Sequence, residues 1–372
     1  MPDILFLTLK TFSATGGIEK VCKVAGKALF EYGAENNKSI AISSMYDTPE
    51  NAAENPYFPN ECFLGFRVKK IRFIANSMKK GRKAKLVILS HINLLPAGVL
   101  IKKVSPRTRV MLLAHGIEIW DKLNSTRTSM LKTCDKILSV SSFTQDVISQ
   151  THGLLKERCA VLNNCLDPFL TLPANTVVES TLRARYGFTA GNKILFTLSR
   201  LSAKERYKGY EVVLEAMALL KEKNPEIRYM IAGSYDEDEK LRLDEMIRSL
   251  GLEGMVVIPG FLPEEEIPQH FKMADLYVMP SRKEGFGIVF IEAMYYGLPV
   301  IAGNEDGSSD ALLNGELGKL VNPNSVDDLK TSIEEMLGAS ERFVPNREKL
   351  LEAFSYESYK EKFGGYINEL IN

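Results

Sequence analysis

The sequence lacks long hydrophobic runs and has few cysteines, and both absences limit what the protein can be. Among its 372 residues the longest apolar runs, such as residues 110–114, are far shorter than the ~20 residues that a membrane-spanning helix needs. The N-terminus leads straight from Met1-Pro2-Asp3 into a strand-like run, so no signal peptide is expected. The five cysteines include no Cys-x-x-Cys pair, which disfavours a disulfide framework or a zinc site. We therefore expect a cytoplasmic protein whose thiols are free and buried.

Acidic residues are missing from a long stretch of the first half, although the net charge of the whole chain is zero. Residues 1–170 contain 24 basic and 14 acidic residues, and the remainder has the opposite excess. Between Cys62 and Ile117 there is no aspartate or glutamate. The same stretch contains the cations Arg67, Lys69, Lys70, Arg72, Lys79, Lys80, Arg82, Lys83, Lys85, Lys102, Lys103, Arg107 and Arg109. A region with so one-sided a charge attracts anions.

Short apolar strands alternate with helix-length segments along the whole chain. One series of strands is predicted at residues 4–9, 39–43, 85–90, 109–114, 136–140 and 160–162, and another at 193–198, 228–232, 255–258, 276–279 and 299–301. This alternation predicts an α/β protein with mostly parallel sheets covered by helices. The proline-bearing segment 166–175 separates the two series. We therefore predict two doubly wound Rossmann-like domains, residues 1–170 and 171–355, followed by an amphipathic helix within residues 356–372.

Residues 280–303 are predicted to form strand, turn, helix and strand, and they contain two informative carboxylates. Glu284 is in the polar turn, whereas Glu292 is among apolar helical residues, where a carboxylate without a partner would cost about 2–7 kcal/mol. A helix that begins near Phe286 or Gly287 directs free N–H groups and its positive dipole end at the turn, which favours an anionic or hydroxyl-rich ligand. The alternative is an ordinary helix N-terminus with Glu284 near the dipole and Glu292 on an exposed stripe. The spacing alone does not decide between them.

Other candidate site residues follow predicted strands at their carboxyl ends, where open α/β sheets bind ligands. Gly16-Gly17 follows the first strand without forming a Gly-x-Gly-x-x-Gly fingerprint, so a tight turn is the alternative. Arg200 and Lys208 follow the first strand of the second series. A guanidinium and a mobile ammonium can bind a diphosphate jointly, so one interpretation is a diphosphate site. The alternative is a solvated basic loop. His115 closes a strand of the first series and is otherwise a core histidine.

With Gly16-Gly17, His115-Gly116, Arg200, Lys208 and Glu284-x7-Glu292 in this order, the sequence resembles the retaining family 4 glycosyltransferases of the GT-B type along most of its length. The resemblance implies two Rossmann-like domains that face each other across a cleft, with the C-terminal helix crossing back to the first domain. It also implies a nucleotide-sugar donor bound in that cleft.

The resemblance further implies a role for each matching residue. The residues that match Arg200 and Lys208 hold the donor diphosphate, and Glu284 contacts sugar hydroxyls together with the amides of Phe286 and Gly287. Glu292 would bind the ribose hydroxyls. His115 would approach the donor from the first domain and is expected, with Arg200, Lys208 and Glu284, to be catalytic. The remaining residues expected to bind the donor are Gly16, Gly17, Gly233, Leu262 and Ile288.

The segment Asp236-Glu237-Asp238-Glu239 contains the Asp-x-Asp spacing with which other glycosyltransferases chelate a divalent ion. Because it follows a strand and begins a predicted helix, we interpret these acids as a helix cap and as partners of the helix dipole. Arg200 and Lys208 already supply positive charge for a diphosphate. We therefore expect no metal and no other cofactor.

These features predict an enzyme, a metal-independent hexosyl- or glycosyltransferase that acts with retention. It would move sugar from a UDP- or GDP-sugar to a glycan or lipid-linked acceptor in cell-surface polysaccharide or glycolipid synthesis. The alternatives are a catalytically silent sugar-nucleotide-binding protein and another GT-B enzyme, such as a sugar-nucleotide epimerase. No nucleic-acid partner is expected.

The acid-free stretch is the expected acceptor side. Within residues 67–80, the apolar residues Ile71, Ile74, Ala75 and Met78 follow helical spacing among lysines and arginines, which predicts a basic amphipathic helix. One interpretation is that its apolar face packs on the sheet while the lysines stay solvated. The other is that the basic region, residues 62–117, attaches peripherally to an anionic membrane, on the inner face of the plasma membrane.

Overall fold

The computed structural model describes residues 2–154, 156–172 and 177–371. It divides into two compact units, one formed by residues 1–168 and 354–372 and the other by residues 169–353. These divisions lie beside the boundaries that the sequence predicts at 170/171 and 355/356. Part of the predicted loop 166–175, residues 173–175, lies outside the described residues.

The first unit is built on a parallel sheet with seven strands in the described part of the chain, in the order β3-β2-β1-β4-β5-β6-β7. The strands are β1 (Ile4–Thr8), β2 (Ile40–Ser44), β3 (Phe63–Gly65), β4 (Leu86–Leu89), β5 (Arg109–Ala114), β6 (Lys136–Ser139) and β7 (Cys159–Val161). β1 and β4 are buried along their whole length, as apolar strands covered by helices on both faces should be. The six predicted strands are confirmed with small shifts at their ends, and the three-residue edge strand β3 is additional.

Helices cover this sheet on both faces. They are α1 (Gly17–Glu35), α2 (Lys70–Gly81), α3 (Leu95–Val104), α4 (Ile117–Trp120), α5 (Ser125–Leu131), α6 (Ser142–His152) and, from the C-terminus, α15 (Tyr356–Ile371). α15 packs against α1, where Tyr32 Oη donates to Asn368 Oδ1 over 2.6 Å and Tyr356 Oη donates to Glu31 Oε2 over 2.7 Å. The predicted return of the C-terminal helix to the first domain is confirmed.

The second unit repeats this architecture with six parallel strands among its described residues, in the order β10-β9-β8-β11-β12-β13. The strands are β8 (Lys193–Leu198), β9 (Ile227–Ala232), β10 (Val256–Gly260), β11 (Leu276–Met279), β12 (Val300–Gly303) and β13 (Lys319–Val321). The helices are α7 (Val177–Arg185), α8 (Tyr210–Leu220), α9 (Glu237–Ser249), α10 (Ile267–Met273), α11 (Ile288–Tyr295), α12 (Ser308–Ala311), α13 (Val326–Gly338) and α14 (Arg347–Phe354). The prediction of two doubly wound α/β units is confirmed.

The two units share one arrangement at the amino ends of two neighbouring strands, β5 and β6 in the first unit and β8 and β11 in the second. Asp135, just before β6, accepts the backbone N–H of Val110 at 2.7 Å. Asp275, just before β11, accepts the backbone N–H of Ile194 at 2.8 Å. In each unit a carboxylate thus satisfies the backbone donor of the second residue of the neighbouring strand.

The basic helix α2 presents a different face to the sheet from the one that the sequence predicts. Its buried residues are Phe73, Ser77 and Gly81, whereas Ile71 is 87% exposed and Ala75 is also exposed. The Phe73 ring has the largest apolar area of the helix to bury, and Gly81 lets the backbone approach the Ile101 side chain, which a Cβ would meet at 2.6 Å. Of the two interpretations of this helix, packing of its apolar face on the sheet therefore fails for Ile71 and Ala75, although Ile74 is partly buried against the core.

Candidate active site

The candidate site of the second unit lies where the strand order of its sheet reverses. β8 and β11 are neighbours, and the chain leaves them toward opposite sides of the sheet. Loops that follow such a pair leave a crevice at the carboxyl ends of the strands. The loop after β8 contains Arg200 and Lys208, and the loop after β11 contains Glu284. Backbone contact joins the two loops, because Arg282 N–H donates to the Tyr207 carbonyl over 2.8 Å.

Lys208 and Glu284 form an ion pair between these loops, through Lys208 Nζ and Glu284 Oε2. Their side chains are only 16% and 17% exposed. Burial lowers the pKa of Lys208, but the Glu284 carboxylate raises it by more, so that the net shift is upward. Lys208 therefore remains a cation at neutral pH. The next residue, Gly209, has φ of +82°, and a Cβ there would meet the Pro280 carbonyl oxygen at 2.3 Å. Only glycine lets the two loops approach this closely.

Asp306 supports the Glu284 loop from the end of β12. It is 1% exposed, and its Oδ2 accepts the Ser281 hydroxyl at 2.5 Å and the Glu284 backbone N–H at 2.7 Å. Its Oδ1 accepts the Ser308 backbone N–H at 2.9 Å. Gly307 N–H donates to the Glu284 carbonyl over 2.8 Å. Both backbone polar groups of Glu284 are thus held by the loop that follows β12.

The helix predicted to begin near Phe286 or Gly287 is α11, which begins at Ile288 with Gly287 as its N-cap residue. Gly287 has φ of +86°, and a Cβ there would meet the Phe290 ring at 2.3 Å, so the close turn requires glycine. Phe286 is buried beneath the turn. The first N–H groups of α11 therefore point into the crevice beside Glu284, as the sequence predicts.

Glu292 lies on the buried side of α11 and is 4% exposed, which excludes the alternative of an exposed stripe. The charge of Glu292 acts on the buried hydroxyl of Tyr277. Burial raises the pKa of this hydroxyl, and the carboxylates of Glu284 and Glu292 raise it further. Tyr277 also exchanges hydrogen bonds with the backbone of Leu198, at the end of β8. Tyr277 thereby links β11 to the end of β8.

The segment that contains the Asp-x-Asp spacing begins α9, and arginines pair with its first and last residues, Asp236 and Glu239. Asp236 is the N-cap residue of α9 but makes no capping hydrogen bond, and it pairs instead with Arg200 at 3.4 Å. Asp236 thus takes the predicted N-cap position without the capping hydrogen bond, and Glu237, Asp238 and Glu239 occupy the first turn, where acids complement the helix dipole. Among residues 2–154, 156–172 and 177–371, no cluster of three or more His, Cys, Asp or Glu side chains has the arrangement of a metal site. The absence of a metal requirement stays a prediction.

Glu239 is the buried member of that segment. Its Oε2 accepts Arg206 Nη2–H at 2.9 Å and its Oε1 accepts Arg242 Nη2–H at 2.6 Å and Tyr210 Oη–H at 2.8 Å. Burial raises the pKa of this carboxyl, but the hydrogen bonds from Arg242, Arg206 and Tyr210 lower it to about 2. Arg206 belongs to the turn that ends at Lys208, so Glu239 anchors the loop of the candidate lysine to α9.

Gly233 and Leu262 lie at the carboxyl ends of β9 and β10. Gly233 has φ of +137°, and a Cβ there would meet the Ser199 carbonyl oxygen at 2.0 Å. Its N–H donates to the Gly260 carbonyl over 2.8 Å. Leu262 is buried, but Phe261 before it is exposed. Gly233 therefore shapes this edge of the sheet through its backbone conformation.

In the first unit, Gly16 and Gly17 stand at the N-terminus of α1, and neither has a positive φ. A Cβ at Gly17 would meet no atom within 4 Å. Glycine is thus not required there by the turn, and the open space above Gly17 is compatible with a ligand. The preceding loop is fixed by buried Asp47, whose carboxylate accepts the backbone N–H groups of Thr11 and Ser13, both at 2.7 Å.

His115 follows β5 and is half-buried. Its Nε2–H donates to the Ser90 carbonyl over 2.6 Å, because a carbonyl oxygen can only accept, and its backbone N–H donates to Glu118 Oε1 over 2.6 Å. Its Nδ1 is therefore the ring nitrogen that is left for a ligand. Gly116 has φ of +130°, a conformation that favours glycine directly after the histidine.

Sequence reasoning missed the three buried carboxylates that hold these loops, Asp47, Glu239 and Asp306. The loops that Asp47 and Asp306 hold contribute backbone N–H groups, such as those of Thr11 and Glu284, that lie 22 to 36 residues away along the chain. Such contacts leave no signal in the local sequence. Glu239 carried a weak signal, since it is three residues before Arg242 on a helix and the two can pair.

Two Rossmann-like units of this topology, with charged groups at the switch point of the second, define a GT-B α/β protein. The family model for "Glycosyl transferases group 1" matches residues 178–361. This segment of the chain, most of the second unit with the start of the C-terminal helix, therefore has the sequence character of the glycosyl transferases group 1.

Known proteins with similar sequences and structures agree with this assignment. The chain is 29% identical over 204 residues to mannosylfructose-phosphate synthase of Agrobacterium fabrum, covering 53% of this chain and 44% of that protein. It is 29% identical over 261 residues to a GDP-mannose-dependent α-(1-6)-phosphatidylinositol monomannoside mannosyltransferase of Mycolicibacterium smegmatis, covering 66% of this chain and 65% of that protein. The crystal structure of Anabaena HepE in complex with UDP and glucose superposes with a TM-score of 0.81 at 20% identity, over 99% of this chain and 100% of that one. This last likeness establishes the fold.

The sequence matches cover 44% and 65% of the lengths of these two relatives. No helix in the described ranges combines the length and the apolar character that crossing a membrane requires.

Proposed function

We propose that the protein is a retaining glycosyltransferase that takes its sugar from a nucleoside diphosphate sugar. The observation that carries this proposal is the partly buried pair of Lys208 and Glu284 at the switch point of the second sheet, beside the N-terminus of α11. A cation, a carboxylate and free helix N–H groups are the three kinds of group that a sugar diphosphate needs.

Each group has a distinct task in this proposal. Lys208 and the largely exposed Arg200 stabilise the negative charge that grows on the departing diphosphate. Glu284 accepts hydrogen bonds from sugar hydroxyls, and the amides at Gly287 and Ile288 donate to the donor. Buried Glu292 accepts from the ribose hydroxyls, as the acidic residue of a dinucleotide site does.

The chemical step exchanges one bond at the anomeric carbon for another. The bond from the anomeric carbon to the phosphate oxygen breaks, and a bond to the acceptor hydroxyl oxygen forms on the same face of the sugar. The departing phosphate oxygen takes the proton of that hydroxyl, so no protein nucleophile is needed. Retention follows from the family resemblance, and the role of His115 toward the donor stays a prediction from the same resemblance.

The names of the relatives support UDP- and GDP-sugars as the donors to test first. The relative from Mycolicibacterium smegmatis is described as GDP-mannose-dependent, and the Anabaena structure contains UDP and glucose. A glycan or lipid-linked acceptor is proposed on the same grounds, together with a role in cell-surface polysaccharide or glycolipid synthesis.

The first unit supports an anionic or membrane-bound acceptor. Val68 and Ile71 are 57% and 87% exposed, and they are surrounded in sequence by Arg67, Lys69 and Lys70. They lie where α2 begins, at the carboxyl end of its sheet, because helices of a doubly wound sheet run antiparallel to the strands. Exposed apolar side chains among cations are typical of surfaces that bind anionic bilayers. We propose peripheral attachment there, on the cytoplasmic face of a membrane.

Calorimetric titration with UDP, GDP and ADP tests the donor site, and product analysis with the matching sugar nucleotide tests the reaction. Tight binding of one nucleotide, followed by sugar transfer only when an acceptor is present, is expected. A protein that binds the sugar nucleotide without turnover would be a silent binder. Conversion of the donor sugar in the absence of an acceptor would identify an epimerase. Failure to bind any of the three nucleotides would contradict the proposal.

A further inference from the structure

The buried carboxyl of Asp306 has no task in the mechanism above, although it contacts the loop of Glu284 directly. It is 1% exposed, and it accepts from Ser281 Oγ–H, Glu284 N–H and Ser308 N–H at 2.5, 2.7 and 2.9 Å. In the described part of the chain no lysine, arginine or histidine forms an ion pair with it. A carboxylate buried without a cation is costly, and its three donors only partly offset this cost.

The hydrogen-bond pattern fits the ionised form of Asp306. Oδ2 accepts two hydrogen bonds at once, one from the Ser281 hydroxyl and one from the Glu284 amide. A proton on Oδ2 would reverse the hydrogen bond with Ser281, whose hydroxyl can also accept. Protonation would also remove the negative charge that strengthens the hydrogen bond from the Glu284 amide, so the loop would be held less firmly.

Two charged groups act on Asp306 from the elements packed against it. The Glu284 carboxylate is on the loop that Asp306 holds, and Lys208 is paired with that carboxylate. Burial raises the pKa of Asp306 and the Glu284 charge adds to this, whereas Ser281 and Ser308 lower it, with a net value of about 6. Its ionisation therefore changes within the physiological range.

We propose that Asp306 is a positioning residue that, in its ionised form, holds Glu284 in the geometry that binds the donor sugar. This inference rests on the proposed function, because it assumes that Glu284 contacts the sugar. Asp306 itself does not touch the donor. It acts through the Glu284 amide and through Ser281, so the affinity for the sugar portion of the donor should depend on it while the affinity for the nucleotide portion should not.

The sign of the pH effect follows from the ionised form being the competent one. Above pH 6 the carboxylate is charged and the loop is held. As the pH falls through about 6, Asp306 becomes protonated, and sugar binding should weaken. Because the pKa of Asp306 is raised on folding, its ionisation lowers the free energy of unfolding at neutral pH. This loss of stability becomes smaller as the pH falls toward the pKa of the unfolded state. Asp306→Asn should therefore be at least as stable as the wild type at pH 7.5 while binding the donor less well.

Calorimetry with the nucleoside diphosphate alone and with the nucleotide sugar separates the two portions of the donor. The proteins compared are the wild type, Asp306→Asn, Asp306→Ala and the matched control Glu305→Gln, whose side chain is exposed on the same loop. In Asp306→Asn and Asp306→Ala we expect about tenfold weaker binding of the nucleotide sugar, the loss typical of one charge-assisted hydrogen bond. Binding of the bare diphosphate should change less than twofold, and Glu305→Gln should match the wild type in both.

The pH profile of nucleotide-sugar binding distinguishes positioning from a purely structural role. The wild type should lose affinity below pH 6, and Asp306→Asn should lack that acid limb. Ser281→Ala removes one donor to the carboxylate and should shift the limb to higher pH, because the ionised form loses a stabilising hydrogen bond. Thermal melting identifies any variant that fails to fold. If Asp306→Ala fails to fold, the comparison of the wild type with Asp306→Asn and Ser281→Ala still tests the positioning role.

The outcomes separate this inference from the proposed function. If the wild type binds the diphosphate but gains nothing from the sugar, the role of Glu284 is wrong and the proposed donor site fails. If the wild type gains affinity from the sugar and Asp306→Asn keeps both that gain and the acid limb, the donor site stands and the positioning role of Asp306 is overturned.

Discussion

Lys208 Nζ and Glu284 Oε2 are in direct contact although they lie 76 residues apart in the chain. Each belongs to a loop that leaves one of the two adjacent central strands of the second sheet, β8 and β11. The pair therefore exists because the strand order reverses at this point and places the two loops side by side. In the proposed reaction both side chains acquire new partners, Lys208 the diphosphate and Glu284 the sugar. The ion pair keeps them ordered in the meantime.

Replacing Lys208 by Ala should reduce kcat by about 100-fold or more, because a charge that stabilises the leaving group is lost. It should also lower the free energy of unfolding by ~1–3 kcal/mol, since Glu284 would be left partly buried without its cation. Glu284→Gln should mainly weaken binding of the nucleotide sugar. Steady-state kinetics and urea denaturation of the two single variants and the double variant measure the coupling. Additive effects in the double variant would contradict a direct interaction.

Most of the fold could be predicted because the signals are local. Apolar runs such as residues 109–114 and 193–198 specify buried parallel strands, and their predicted bounds match β5 and β8. The three-residue edge strands β3 and β13 were not predicted, whereas the equally short β7 was, because β7 lies in a run of four apolar residues, 159–162, and the other two lack such a run. The face of α2 that is buried could not be decided from the sequence, because helical spacing does not rank the larger Phe73 above the apolar residues around Ile71.

The candidate site could be predicted in part, for a related reason. The start of α11 near Gly287 follows from the chain between residues 280 and 303 alone, whereas the spacing there left the burial of Glu292 undecided. That Lys208 contacts Glu284 depends on which strands are neighbours, and only the assembled sheet shows it. The buried aspartates Asp47 and Asp306 bind backbone N–H groups, which every residue type provides, so no sequence pattern marks their partners.

Glu239→Gln should lower the free energy of unfolding. It should also weaken the stabilisation of the departing diphosphate by Lys208, because Glu239 anchors the loop of that lysine to α9. The pKa of about 2 for this carboxyl lies well below its ordinary value of 4.5, a difference of roughly 3 kcal/mol in favour of the native state near neutral pH. Because the pKa is lowered, this stabilisation is present above about pH 4.5 and is lost as the pH falls toward 2. Urea denaturation at pH 7 and pH 3 should show a large difference between variant and wild type at pH 7 and a smaller one at pH 3.

The exposed neighbour Glu237 provides the control for that comparison. Glu237→Gln removes the same charge from the first turn of α9 without affecting Arg206 or Arg242. It should leave stability within about 0.5 kcal/mol of the wild type, as surface substitutions usually do. A loss as large as that of Glu239→Gln would mean that the negative charge near the helix N-terminus matters and the arginine contacts do not.

EDTA should leave activity unchanged, because Arg200 and Lys208 supply the positive charge for the diphosphate. Asp238→Asn should likewise be active, although it removes half of the Asp-x-Asp spacing, since Asp236 pairs with Arg200 and Glu239 with Arg206 and Arg242. Turnover measured with EDTA, and again after Mg²⁺ or Mn²⁺ is added back, tests this. Activity that disappears with EDTA and returns with the metal would show that a divalent ion is required.

Val68→Ser/Ile71→Ser should reduce binding to anionic vesicles while leaving the fold intact, because both side chains are largely exposed. Flotation with phosphatidylcholine vesicles, with and without phosphatidylserine, measures the attachment. Lys69→Gln/Lys70→Gln should weaken binding to the anionic vesicles by about tenfold or more, since each cation near such a surface contributes ~1 kcal/mol.

The contrast with two other apolar residues makes the membrane test specific. Leu241→Ser alters an exposed apolar side chain of the second unit, and it should leave flotation unchanged. Phe73→Ala removes the buried ring of the same helix and should cost about 3–5 kcal/mol of stability, which the exposed pair should not. If the wild type fails to float with either kind of vesicle, membrane attachment is excluded. If the exposed pair instead destabilises the fold as Phe73→Ala does, Ile71 belongs to the core, and the hydrophobic contribution to membrane binding has no basis.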